Sequence, residues 1–198
     1  MSSMQVDQAR LPQLSQLAQD EQAPLVEVVH STKVNAVHRL WSPSLTEQGN
    51  LDRYGSATAL HGHEYTFKIK FRGPVNKVTG EVTAAELLED VVVMAVTEVL
   101  DRKNLDNDIS FFLSRPSTLE NVCLFAFRNI GVIMRPHPFS CTAVTVETSG
   151  CHRSQASKHL TSTSVTYAGE MMSAAPAFTE NAVLQLSAQQ QGGQSDFR

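Results

Sequence analysis

His61, Gly62 and His63 open a stretch in which polar and apolar residues alternate, so two imidazoles two positions apart project from one side of an extended strand. One face reads His61, His63, Tyr65, Phe67, Ile69, Phe71, and the other reads Glu64, Thr66, Lys68, Lys70, Arg72. The histidines thus lie on the apolar face, where ring nitrogens without partners cost free energy unless a metal or a hydrogen bond takes their lone pairs. A second alternating stretch puts Val26, Val28, His30, Thr32, Val34, Ala36 and His38 on one face, and His38, at its end, can meet the pair. Three neutral imidazoles with one open position form the usual catalytic zinc site. His30, alone in the middle of its stripe, reads as a satisfied core histidine.

The elements that must position these side chains belong to one folded unit. A chain of 198 residues with 41% hydrophobic and 18% charged residues suits a single domain with a sizeable core. Residues 1–23 and 171–198 are rich in Gln, Ala and Ser without a sustained period and are predicted to be disordered, leaving 24–170 as the domain. A net charge of -4 and a pI near 6.0 offer no polycation for nucleic acid or anionic membranes. The apolar runs around Val91 to Val96 and Val122 to Phe127 are far shorter than the roughly 20 residues a membrane helix needs, and no signal pattern opens the chain. Cys123, Cys141 and Cys151 are odd in number and lack zinc-type spacing, which fits a reducing, cytoplasmic setting. Cys123 and Cys141 fall in apolar elements and read as core.

The pattern predicts strands over 25–38 and 61–73 separated by a long loop at 39–60, helices over 84–102 and 117–134, and strands over 139–148 and 160–168. That order, ββααββ, is an α+β plan with a four-stranded antiparallel sheet and both helices on one face. Thr83 with Glu86 and Ser117 with Glu120 have capping-box spacing. Leu88, Val92, Ala95 and Val99 form one helical stripe; Val122, Ala126, Asn129 or Ile130, and Ile133 form another, and Met94 and Phe127 are assigned to packing. Open sheet edges and a partly apolar second face predict a homo-oligomer in which sheets join into a barrel.

Several segments together carry a more specific signal. Asn35-Ala36-Val37-His38-Arg39-Leu40, Asn50, Tyr54-Gly55, His61-Gly62-His63-Glu64-Tyr65, Thr79-Gly80-Glu81-Val82, Leu100-Asp101-Arg102-Lys103-Asn104-Leu105-Asp106, Ser117-Thr118-Leu119-Glu120-Asn121, Val146-Glu147-Thr148 and Tyr167-Ala168-Gly169-Glu170 resemble, in order and spacing, the 6-pyruvoyl-tetrahydropterin synthase family. The resemblance covers about residues 26–170, and the loop Trp41 to Gln48 is similar to the biopterin-pathway branch rather than to the shorter 6-carboxy-tetrahydropterin synthases. It implies the T-fold (tunnelling fold), a hexamer built as a dimer of trimers, active sites between subunits, and zinc on His38, His61 and His63. It also implies conversion of 7,8-dihydroneopterin triphosphate to 6-pyruvoyl-tetrahydropterin with loss of triphosphate, a step of tetrahydrobiopterin biosynthesis. By the same resemblance Glu147 anchors the pterin through charge-assisted hydrogen bonds, and Thr118 and Glu120 sit on the substrate-contacting loop. Glu147 also reads as an ordinary strand-end carboxylate, and Glu120 as the capping-box acid alone.

The family's proton-transfer apparatus is a cysteine upstream of the His-Gly-His motif with an Asp-His dyad. Here the cysteine position is Ala57; the dyad keeps Asp101 but has Arg102 for its histidine, and the glutamate that some relatives use is Thr58. A guanidinium accepts no proton at neutral pH. Cys151 beside His152, in a stretch that looks inserted relative to the family, is the candidate substitute, although neighbours on an extended strand point apart. Three readings follow: the synthase itself, a pterin-binding paralogue that has lost base catalysis, and a pterin enzyme with retro-aldol or carboxypterin-forming chemistry.

Overall fold

The computed structural model describes residues 23–135, 137–150 and 161–169. Cys151, His152 and the two predicted tails, apart from Ala23, lie outside the described residues. The sheet consists of β1 (Leu25–His38), β2 (His61–Pro74), β3 (Ser140–Gly150) and β4 (Thr161–Ala168), antiparallel throughout and ordered as in the chain. The β1–β2 ladder runs without a slip from Leu25 opposite Pro74 to His38 opposite His61. Strict alternation on both strands explains that register, because a one-residue slip would turn both apolar faces outward. A bulge opposite Lys70 and Phe71 gives β3 one extra residue, so that Cys141 and Val144 both face inward.

Val34, Tyr65, Phe67, Ile69, Phe71, Val144 and Val146, all nearly inaccessible, form the inner face of the sheet. They are covered by α2 (Ala85–Val92), which continues through a π-helical turn (Val93–Thr97) into α3 (Glu98–Leu100), and by the longer α5 (Leu119–Ile133). The α2 segment turns Leu88, Val91 and Val92 inward and the π turn adds Ala95 and Val96. The carbonyl of Ala95 within that turn accepts a hydrogen bond from the Asn129 side chain at 3.2 Å, so Asn129 bridges the helices while Ile130 takes the core position. Cys123 and Cys141 are buried as expected; burial raises the Cys123 thiol pKa and pushes Cys141 up to about 12. Gly73 is required by close approach: a Cβ there would lie 2.6 Å from Phe139 Cβ.

Several local expectations change. The predicted loop at 39–60 contains α1 (Glu47–Tyr54), N-capped by Thr46, and a 3-10 turn (Gly55–Thr58). Asn50, fully buried, organises it: its amide donates toward the carbonyls of Ser42, Leu45 and Thr46 and its oxygen accepts from the Ser42 N–H at 2.7 Å. A residue whose polar atoms all find local backbone partners leaves no periodic apolar signal to read. A short helix α4 (Leu105–Asp108) and a 3-10 turn (Ser110–Phe112) likewise join the helical layers. Neither capping box forms as predicted. Ala84 occupies the first N-cap without a side-chain bond, and Thr118 rather than Ser117 caps α5, accepting from the Asn121 N–H. The shift places Glu120 one residue too early to close a box, and Ser117 is engaged elsewhere. Met94 is 41% exposed on the outer side of the π turn, so it is not core, whereas Phe127 is buried.

Candidate metal centre

His38 and His61 are direct cross-strand partners at the end of the β1–β2 ladder, and His63 faces Ala36 one alternation further in. Opposite and diagonal neighbours on one face of a sheet lie close enough for long side chains to meet. The ring centroids are 4.6 Å (His38–His61), 5.2 Å (His38–His63) and 4.9 Å (His61–His63) apart, and one nitrogen from each ring lies within 4.8 Å of the others. Strand alternation alone therefore brings the three predicted ligands together.

The two ring nitrogens of His38 have opposite fates. Nδ1 lies 2.9 Å from the backbone carbonyl oxygen of Ser117 and 3.0 Å from its hydroxyl, whereas Nε2 is buried with no hydrogen-bond partner. A carbonyl only accepts, so Nδ1 carries the proton and Nε2 holds an in-plane lone pair. His61 is arranged similarly: Nδ1 donates to the carbonyl of Ala59 at 2.8 Å, leaving Nε2 available. An unpartnered buried nitrogen is costly unless something takes its lone pair, and a borderline-soft divalent cation bound by imidazoles fits that need. Burial, reinforced by the charge of neighbouring His61, lowers His38 to about 4, so the ring is neutral and ligand-competent near pH 7. The donor set fits zinc.

Two more buried polar atoms without partners lie at the same end of the sheet. Tyr65 and Thr148 are cross-strand neighbours, and Tyr65 Oη and Thr148 Oγ1 are both unpaired. The Tyr65 ring stands edge-on to His38 and His63, with centroids 6.2 and 5.7 Å away, and burial raises its phenol above the ordinary range. Neither hydroxyl was singled out from the sequence, because a tyrosine on an apolar stripe looks like packing.

The segment from Asp101 to Asp106 is stitched along the end of β1. The carboxylate of Asp101 accepts from the Asn35 N–H at 2.8 Å, Arg102 N–H donates to the Asn35 carbonyl, Val37 N–H donates to the Lys103 carbonyl, and Asp106 Oδ2 accepts from the Arg39 N–H at 2.7 Å. Asp101 thus holds backbone, with the guanidinium of Arg102 3.5 Å away and 90% exposed. Arg102 adopts a left-handed backbone with φ 59°. Ala57 lies in the 3-10 turn, its carbonyl accepting from Leu40 N–H, and Thr58 donates its hydroxyl to Gly55. Glu147 is on the sheet face opposite the core, in an ion pair with Lys68 at 2.7 Å. Thr118 and Glu120 are at the start of α5, adjoining Ser117. The residues that sequence reasoning missed are Asp106, quoted only as part of a motif, and Ser117, read only as a helix cap; no local pattern marks a contact that spans 79 residues.

Comparison with known proteins places this arrangement. The profile of 6-pyruvoyl tetrahydropterin synthase matches residues 27–155. The 6-pyruvoyl tetrahydrobiopterin synthase of Drosophila melanogaster is 36% identical over 111 residues, which is 55% of this chain and 66% of the fly protein. The human protein of the same name is 31% identical over 110 residues, 54% of this chain and 76% of that one. The solved structure of Caenorhabditis elegans 6-pyruvoyl tetrahydropterin synthase superposes with a TM-score of 0.65 at 28% identity, covering 76% of this chain and 99% of the worm chain.

Proposed function

Because the chain belongs to the 6-pyruvoyl tetrahydropterin synthase family, whose profile spans residues 27–155, we propose that it is a zinc-dependent, phosphate-eliminating lyase of that type, acting on 7,8-dihydroneopterin triphosphate. The observation that carries the reading is the cluster of His38, His61 and His63 with the lone pair of His38 Nε2 turned into it. These three side chains would hold the zinc, which when bound supplies Lewis acidity toward the substrate's side-chain hydroxyls. Glu147 accepts hydrogen bonds from the amino group and ring N–H of the pterin, for which Lys68 must yield, and Thr118 and Glu120 border the same substrate. Asp101 fixes the loop beside β1, and the general base is assigned to Cys151 with His152, outside the described residues.

The assembly in this reading is a hexamer, a dimer of trimers in the cytoplasm. Its support is that β1 and β4 are edge strands of the described sheet and that Leu25 and Val29 are exposed on β1. Among the described residues no helix is long and apolar enough to cross a membrane.

A second reading is favoured by specific residues. Ala57 offers no thiol and Arg102 no basic nitrogen where the family resemblance places both, which suits a pterin-binding protein without turnover or a pterin enzyme of altered chemistry. Incubating zinc-loaded protein with 7,8-dihydroneopterin triphosphate and identifying products by mass spectrometry separates these. Release of triphosphate with a 6-pyruvoyl product supports the synthase. A retro-aldol or carboxypterin product supports altered chemistry, and bound but unchanged ligand supports the binding protein.

A further inference from the structure

Asp106, Ser117 and His38 form a chain of hydrogen bonds, half-buried at Asp106 and buried at Ser117 and His38, that ends at the candidate metal centre. Ser117 is fully buried and its Oγ donates to Asp106 Oδ1 at 2.7 Å, while His38 Nδ1 lies 3.0 Å from the same Oγ and 2.9 Å from the Ser117 carbonyl oxygen. The other carboxylate oxygen of Asp106 is occupied by the Arg39 N–H at 2.7 Å. We infer that Asp106 is a positioning residue which, through Ser117, locks His38 in the tautomer whose Nε2 can bind a metal.

The argument is one of polarity. A hydroxyl has one proton, and an ionised carboxylate only accepts, so Asp106 draws the Ser117 proton to itself and leaves the Oγ lone pairs toward His38. Nδ1 then faces two acceptors, the Ser117 carbonyl and hydroxyl oxygens, and must carry the ring proton. Without the carboxylate, the Ser117 hydroxyl can turn its proton toward Nδ1 at 3.0 Å or toward the Arg39 carbonyl at 3.3 Å. Donation to Nδ1 moves the ring proton to Nε2, which cannot then be a ligand. Partners behind a ligating histidine fix its tautomer and orientation in this way, and their removal typically weakens metal binding about 10–100-fold.

Asp106→Asn tests the inference sharply. Its side chain has one acceptor where Asp106 has two in use, so one of its two donors, Arg39 N–H or Ser117 Oγ–H, loses its partner. With the fixed backbone N–H retained, the amide NH2 faces Ser117 and reverses the chain. The inference rests on the zinc reading above, so two readouts are taken. In metal-free protein, imidazole 15N shifts report the tautomer of His38 whether or not zinc is the resident metal. Chelator competition reports the zinc Kd. Wild type is expected to show only Nδ1–H; Asp106→Asn to populate Nε2–H and bind zinc about 10–100-fold more weakly; Ser117→Ala, which keeps the carbonyl acceptor and removes the hydroxyl that can reverse, to keep Nδ1–H; and the double variant to regain Nδ1–H and most of the zinc affinity lost in Asp106→Asn. Asp106→Asn with wild-type zinc affinity and only Nδ1–H overturns the inference by itself, as does a double variant that binds zinc as weakly as Asp106→Asn. A wild-type protein that shows Nδ1–H and binds no zinc would instead sink the zinc reading.

Discussion

His38 and His61 face one another across the last rung of the β1–β2 ladder, 23 positions apart in numbering, with ring centroids 4.6 Å apart. With His63 diagonal to His38, the centre is a property of strand register more than of any loop. Ligands on strands are held more rigidly than ligands on loops, so single removals are informative.

Replacing His61 or His63 by alanine is expected to reduce bound zinc from about one per chain to a small fraction, because two imidazoles rarely retain zinc against dialysis. Elemental analysis after zinc-supplemented purification reads this directly. A metal-free wild-type protein from the same preparation would contradict the assignment.

Metal-free protein is expected to lose stability as pH falls through the titration of His38. The unfolded ring takes its proton near the ordinary value of 6.5 and the folded ring at about 4, so between these the unfolded state binds more protons. The stability is complete above the upper value and lost on the way to the lower, about 3 kcal/mol in all. Urea midpoints measured across this interval should fall with acidity in wild type and much less in His38→Ala.

Glu147→Gln should weaken pterin binding about 10–100-fold, the equivalent of about 1.5–3 kcal/mol for a lost charge-assisted interaction. Its partner Lys68 is half-exposed, so losing that ion pair changes stability by less than about 1 kcal/mol. Fluorescence titration with a dihydropterin, read beside a thermal melt, separates the two effects; unchanged affinity would return Glu147 to an ordinary surface carboxylate.

On the second reading, in which base catalysis is lost, turnover of 7,8-dihydroneopterin triphosphate should rise in the double variant Ala57→Cys, Arg102→His by about 10²–10⁴-fold, the usual effect of a positioned general base. Arg102 has φ 59°, a conformation that histidine tolerates better than most residues. No gain in the folded double variant would favour a base elsewhere in this chain, as the assignment to Cys151 with His152 requires.

Asn50→Ala should cost about 1–3 kcal/mol, because it removes a fully buried amide and strands the half-buried Ser42 N–H and carbonyl. Chemical denaturation measures this, and a loss under about 0.5 kcal/mol would mean water replaces the amide without penalty.

The alternating stretches at 25–38 and 61–73 determined β1 and β2, their inward faces and the convergence of His38, His61 and His63, because a period of two is a local property that survives any tertiary context. The helical stripes likewise located the layer that covers the sheet. What only the tertiary structure decided are the roles of residues whose partners are distant. Ser117 carries a serine's usual capping signature, yet its hydroxyl serves Asp106 and its carbonyl serves His38, so Thr118 caps the helix instead. Asp101 clips Asn35, and Asp106, five residues on, supplies the carboxylate that reaches His38 through a hydroxyl. Hydrogen-bond polarity depends on where lone pairs and protons meet in space, and sequence spacing conveys that only when the partners share an element.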